Sequence, residues 1–117
     1  MDRLDTLTDE VRAFCEARDW DRFHGAKDLA IGLVTESSEL LELFRFVPEA
    51  EVAHRLEDAS FRQKVGDELA DVCTFLLRFA QMHGFDLVAE TRRKLAANEK
   101  RYPVERSRGS NRKADRA

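Results

Sequence analysis

Apolar side chains recur at three- and four-residue steps through most of this chain, the spacing that puts them on one face of an α-helix. Leu4, Leu7, Val11 and Phe14 predict an amphipathic helix from about Leu4 to Ala17. From Arg18 to Gly25 the rhythm breaks, and the segment reads as a loop. A second helix is expected from about Ala26 to Phe46, ending before Pro48 because the residue ahead of a proline is pushed out of the helical region. The charged stretch 49–59 suggests a short helical turn around Val52 to Leu56. A third helix is expected from about Phe61 to Met82, with Ser60 as its N-cap and Gly84 just past its end. The fourth runs from Leu87 to about Arg101, opened by Asp86 and closed by Pro103.

Two of these helices carry acids where oil is expected. With Glu36 as zero and about 100° per residue, Leu29, Leu33, Leu40 and Leu43 all fall within roughly 60° of it. Glu68 stands the same way among Phe61, Val65, Val72, Phe75 and Phe79. Each acid has a second one turn on, giving Glu36-x-x-Glu39 and Glu68-x-x-Asp71. A glycine precedes each pair (Gly32, Gly66), a faint sign of a duplicated helix hairpin. An ionised carboxylate removed from water costs several kcal/mol unless it is paired or metal-bound, and four converging acids also repel one another. Divalent cations answer both costs. Glu42 continues the spacing as an outer group, whereas Asp67 points about 100° away from Glu68 and is expected at the surface.

Composition agrees with few, long helices. A chain of 117 residues, 43% hydrophobic and 37% charged, is one domain with solvated outer faces. Five Gly and two Pro leave little punctuation for many short strands. No apolar run reaches the roughly 18 residues of a membrane span, and the N-terminus lacks the order of a secretory signal. Cys15 and Cys73 lack metal or redox spacing and are expected as reduced thiols in a cytoplasmic protein. Residues 103–117 carry +3 and the rest of the chain −6. The acidic body argues against stable nucleic-acid binding, and the basic, apolar-poor end is expected to be disordered. His54 and His83 belong to no motif and are expected at the surface.

All-oxygen ligation favours Mg²⁺, with Mn²⁺ a substitute, over redox iron. Neither acid pair has the His three residues on that di-iron bundles carry. Metal ions held between antiparallel helices can neutralise phosphate charge and activate water. A non-catalytic helical module, binding partners through its apolar stripes, remains the rival from another class. Four helices in about 100 residues leave those stripes incompletely covered, so a homodimer or a dimer of dimers is expected.

At these residues the chain resembles the MazG-like, all-α nucleoside triphosphate pyrophosphohydrolases, in the dCTP pyrophosphatase branch. The motifs are Arg18-Asp19-Trp20 with Phe23-His24, then Glu36-Ser37-Ser38-Glu39-Leu40, then Asp67-Glu68-Leu69-Ala70-Asp71-Val72, and Lys94 through Asn98 to Arg101-Tyr102-Pro103. Each motif alone is common; the ordered set, covering about Val11 to Pro103, is specific. The resemblance implies a four-helix MazG-like bundle over residues 1–102 and hydrolysis of a nucleoside triphosphate, dCTP or another dNTP, to monophosphate and pyrophosphate. It implies Mg²⁺ at Glu36, Glu39, Glu68 and Asp71, with Glu36 or Glu39 on the base side. Phosphate contacts would come from Lys94, Asn98, Lys100, Arg101 and Tyr102, and nucleobase contacts from Trp20, Phe23 and His24. The branch places a Trp where this chain has Phe46, and a Tyr where it has Phe75. Both positions stay aromatic, so a stacking pocket is expected with one indole N–H and one hydroxyl fewer. Phosphoribosyl-ATP pyrophosphohydrolases share the acids; the loop Trp20 to His24 and the Tyr102-Pro103 ending favour the dCTP-type branch.

Overall fold

The computed structural model describes residues 2–114. Every regular element among them is helical: α1 (Arg3–Glu16), a 3₁₀ turn (Asp21–Phe23), α2 (Ala26–Phe44), α3 (Glu49–Glu57), α4 (Ala59–His83), α5 (Leu87–Arg101) and α6 (Val104–Ser107). The four long helices expected from the apolar rhythm are α1, α2, α4 and α5. The chain divides into two compact units, Met1–Gly84 and Phe85–Ala117, which leaves the expected boundary at residue 102 inside the second.

In the first unit α1 starts where the Asp2 carboxylate accepts from Asp5 N at 2.8 Å. It ends in a tight reversal: Asp19 takes a positive φ of 54° and Trp20 N donates back to Cys15 O at 3.1 Å. Aspartate tolerates this left-handed geometry better than most residues. Helix α2 stops at Phe44, two residues short of expectation, and Val47 N closes on Phe44 O at 3.0 Å. The chain thus leaves the helix in a turn ahead of Pro48, as the restriction on the residue before a proline favours. The short turn expected around Val52 grows into α3, a full nine residues.

Helix α4 corrects one assignment. Its N-cap is Asp58, not Ser60: the Asp58 carboxylate accepts from Phe61 N at 2.9 Å, and Ser60 lies within the first turn. A carboxylate there satisfies a free N–H and also suits the positive end of the helix dipole. Gly84 ends α4 with φ 77°, as expected of a left-handed C-cap.

Helices α2 and α4 pack along one another, and α1 and α3 pack on α4. Among the described residues, Cys15, Leu29, Leu77 and Ala80 are the buried apolar ones. Phe44 and Phe61 meet edge to face at 5.5 Å between ring centroids. Gly32 and Gly66 are not equivalent. A methyl group at Gly32 would run into the Phe75 ring, whereas one at Gly66 would meet only the Gln63 amide at 3.9 Å. Gly32 is therefore the site where α2 lets the Phe75 ring in. On the opposite side of α2, Ile31, Val34 and Leu41 are exposed.

In the second unit Asp86 caps α5 by accepting from Ala89 N at 3.1 Å, and Tyr102 N closes on Asn98 O at 2.8 Å. The end expected to be disordered from residue 103 is ordered in part. Pro103 starts α6, with Arg106 N and Ser107 N both 3.0 Å from its carbonyl, and Ala114 N donates to Tyr102 Oη at 3.1 Å. Of that basic end, Asp115, Arg116 and Ala117 lie outside the described residues. No helix among the described residues is long and apolar enough to cross a membrane.

Candidate functional site

Glu36 and Glu39 come from one side of α2, and Glu68 comes from α4. Each contributes a carboxylate oxygen, and the three lie within 4.8 Å of one another. Glu36 and Glu68 are half-buried, Glu39 exposed. Asp71 is outside this trio but close enough that its charge acts on both Glu36 and Glu68. The acids flagged by the sequence are thus brought together by the α2–α4 pairing.

Their surroundings offer no relief. Glu36 Oε2 and Glu68 Oε2 are shut off from solvent and have no hydrogen-bond partner. The hydroxyls flanking Glu36 are committed elsewhere: Thr35, Ser37 and Ser38 donate to the carbonyls of Ile31, Leu33 and Val34 at 2.8, 2.8 and 3.0 Å. Among the described residues no Lys, Arg or His pairs with any of the four acids. Burial, then a carboxyl hydrogen bond with Glu39 and the charges of Glu39, Asp71 and Glu68, push Glu36 up to about 7. Burial and the same Glu39 raise Glu68 as well. Two orphaned buried oxygens among converging carboxylates are what a divalent cation would satisfy, so this donor set fits one.

The loop before α2 is held by a residue the sequence reading passed over. Arg78, only 2% exposed, lies in the apolar run of α4. Its Nε donates to His24 Nδ1 at 2.8 Å, Nη2 pairs with the Asp21 carboxylate, and Nη1 reaches Gln81 Oε1. Gln81 Nε2 donates to Thr8 O at 3.0 Å, tying α1 into the network. His83, expected as a surface group, is exposed yet has its Nε2 3.1 Å from His24 O. The signal for Arg78 was available: a charge amid Phe75, Leu76, Leu77, Phe79 and Ala80 breaks an apolar stripe just as Glu36 does.

Trp20 stands edge-on to both Phe14 and His24, at 5.7 and 6.3 Å between centroids. It is partly exposed, as is Phe23. Phe46, past the end of α2, is 83% exposed beneath the Arg45 guanidinium. Phe75 is half-buried against Gly32. The expected phosphate contacts all lie on or just after α5 in the second unit: Lys94, Lys100 and Arg101 exposed, Asn98 and Tyr102 half-buried. Lys100, Arg101 and Tyr102 line a hollow of about 600 Å³ that also takes in Arg106, Arg112 and Lys113. A hollow of similar size along α1 contains none of the acids, so chemistry rather than volume marks the site.

No protein-family model matches the chain. Named relatives do. The chain is 36% identical over 97 residues to dCTP pyrophosphatase 1 of Bos taurus, and 34% identical over 100 residues to that of Homo sapiens. These alignments take in 83% and 86% of this chain but only 57% and 59% of those proteins, so it spans little more than half their length. Among solved structures, a pyrophosphatase from Archaeoglobus fulgidus superposes with a TM-score of 0.82 at 31% identity, over 88% of this chain and 94% of that one.

Proposed function

The chain belongs to the MazG-like, all-α pyrophosphohydrolase family, and from that premise we propose that it hydrolyses a nucleoside triphosphate, dCTP or another dNTP, to the monophosphate and pyrophosphate. The observation that carries the proposal is the pair of orphaned buried oxygens, Glu36 Oε2 and Glu68 Oε2, within the Glu36–Glu39–Glu68 cluster. Mg²⁺, with Mn²⁺ as substitute, is the cofactor assigned to Glu36, Glu39, Glu68 and Asp71. Bound there, it supplies charge neutralisation of the phosphates and a more acidic water.

The protein's own groups divide the remaining work. Water adds to a phosphorus of the triphosphate chain, the bridging α–β P–O bond breaks, and the pair of electrons leaves with the departing phosphate oxygen. The water proton goes to a carboxylate oxygen of Glu36 or Glu39. Trp20, His24, Phe46 and Phe75 are assigned to the nucleoside, since rings stack on bases and an imidazole reads their edges. Lys94, Asn98, Lys100, Arg101 and Tyr102 are assigned to the phosphates, which need donors and positive charge. Residues 1–102 form the proposed catalytic domain, with 103–117 a basic extension.

The exposed Ile31, Val34 and Leu41 stripe supports assembly into a homodimer or a dimer of dimers. Two free cysteines support residence in the cytoplasm. The deciding experiment is pyrophosphate release from a panel of dNTPs and NTPs, with and without Mg²⁺, on wild type and Glu39→Gln. Metal-dependent turnover lost in the variant, with helical circular dichroism retained, is the expected result. Undiminished release by Glu39→Gln rejects the assignment.

A further inference from the structure

Arg78 is the most buried polar side chain among the described residues, and each of its three guanidinium nitrogens makes a hydrogen bond. A guanidinium stays protonated at any ordinary pH and can only donate. The atom that faces its Nε at 2.8 Å, His24 Nδ1, must therefore present a lone pair. A neutral imidazole with an unprotonated Nδ1 carries its hydrogen on Nε2.

We propose that Arg78 is a positioning residue that locks His24 as a neutral, oriented Nε2–H donor, so that the loop reads an acceptor atom on the nucleoside, a base carbonyl oxygen or ring nitrogen. This rests on the reading that the Trp20–His24 loop contacts substrate. Arg78 and His83 face His24 from α4, and Asp21 faces it from its own loop. Asp21, which would otherwise favour the imidazolium, is tied to Arg78 Nη2. Burial, then the Arg78 charge, hold His24 below its ordinary range against the smaller pull of Asp21. Gln81 cannot relax the lock by turning over, because its amide nitrogen is engaged at Thr8 O. The His83 contact to His24 O fixes the backbone behind the ring.

The test separates the lock from its use. Long-range ¹H–¹⁵N spectra of the full chain, with His24 identified by its disappearance in His24→Gln, report tautomer and pKa with no substrate present. Wild type is expected as the Nε2–H form. Arg78→Gln is expected to raise the His24 pKa by about one unit or more, since a neighbouring cation is removed and Asp21 is freed. Asp21→Asn, which keeps an acceptor for Arg78, is expected to shift it the opposite way. An Nδ1–H form in wild type, or a His24 unmoved by Asp21→Asn, overturns the lock, and these two measurements stand even if Arg78→Gln does not fold.

The use is read from KM as a variant-to-wild-type ratio between pH 6 and 8, where titration of the shared acid cluster cancels. With His24→Gln or Arg78→Gln, KM is expected to rise roughly 2- to 10-fold, the range of one neutral hydrogen bond, with kcat little changed. For Arg78→Gln that ratio is also expected to vary with pH. A flat ratio near one rejects the substrate contact. Absence of turnover with any nucleotide rejects the proposed function, while the spectra still decide the lock.

Discussion

Glu36 of α2 and Glu68 of α4 each bury an oxygen without a partner, and their carboxylates approach within 4.8 Å. Nothing in the flanking sequence compensates them, so the metal-free protein carries a destabilised site whose strength depends on protonation.

That dependence has a definite sign. The folded pKa of Glu36 is raised from 4.5 to about 7, and Glu68 moves the same way. Below about pH 4.5 both folded and unfolded chains hold the proton, and its contribution to stability is intact. As pH rises from there through about 7, the unfolded chain releases it first, and stability falls. Thermal melts of chelator-treated protein are expected to show a lower Tm at pH 8 than at pH 5. Added Mg²⁺ is expected to raise Tm more at pH 8, because binding must displace the proton.

Glu36→Gln is expected to separate stability from activity. It removes a repelled charge, so the metal-free protein should gain roughly 1 kcal/mol at pH 8 in denaturant unfolding. The same change deletes a proposed metal ligand, and pyrophosphate release is expected to drop by at least about 100-fold. A variant that loses both stability and activity would show that Glu36 is held by contacts other than those described.

Gly32 and Gly66 offer a matched pair. Gly32→Ala drives a methyl group into the Phe75 ring, and overpacking of this kind costs about 1–3 kcal/mol. Gly66→Ala makes only an ordinary contact with the Gln63 amide at 3.9 Å and should gain up to about 1 kcal/mol of helix propensity. Combining Gly32→Ala with Phe75→Leu should recover part of the loss, a non-additivity that a double-mutant cycle measures directly.

Asp58→Ala should cost about 1 kcal/mol, the usual worth of an N-cap, while Ser60→Ala should change little. Equal effects at the two positions would contradict the observed cap.

Val34→Glu places a charge in the exposed apolar stripe of α2. Sedimentation is expected to show wild type above its chain mass of 13.5 kDa and the variant shifted toward it. A wild type that sediments as a monomer at micromolar concentration counts against assembly.

The helices were legible because the apolar rhythm at Leu29, Leu33, Leu40 and at Phe61, Val65, Val72 runs over many turns. The acid cluster was legible for the same reason, since Glu36 and Glu68 break that rhythm where a charge is costly. Ends were harder. Ser60 and Asp58 are both good caps, and only the backbone turn, extended at Asp58, decides between them. The partial order after Pro103 rests on the short α6 and on a bond between Tyr102 and Ala114 that no local pattern announces. Arg78 was missed although it obeys the same rule as the acids, because its partners Asp21 and His24 are remote in sequence.

Thr35, Ser37 and Ser38 each turn inward to their own helical backbone. With those hydroxyls occupied, the neighbouring carboxylates must look to the surrounding solution for a counter-charge. Resilience then becomes a property shared between polypeptide and buffer: a chelator would act on this molecule as a mild denaturant, and a change of salt would register as a change in the strength of the fold.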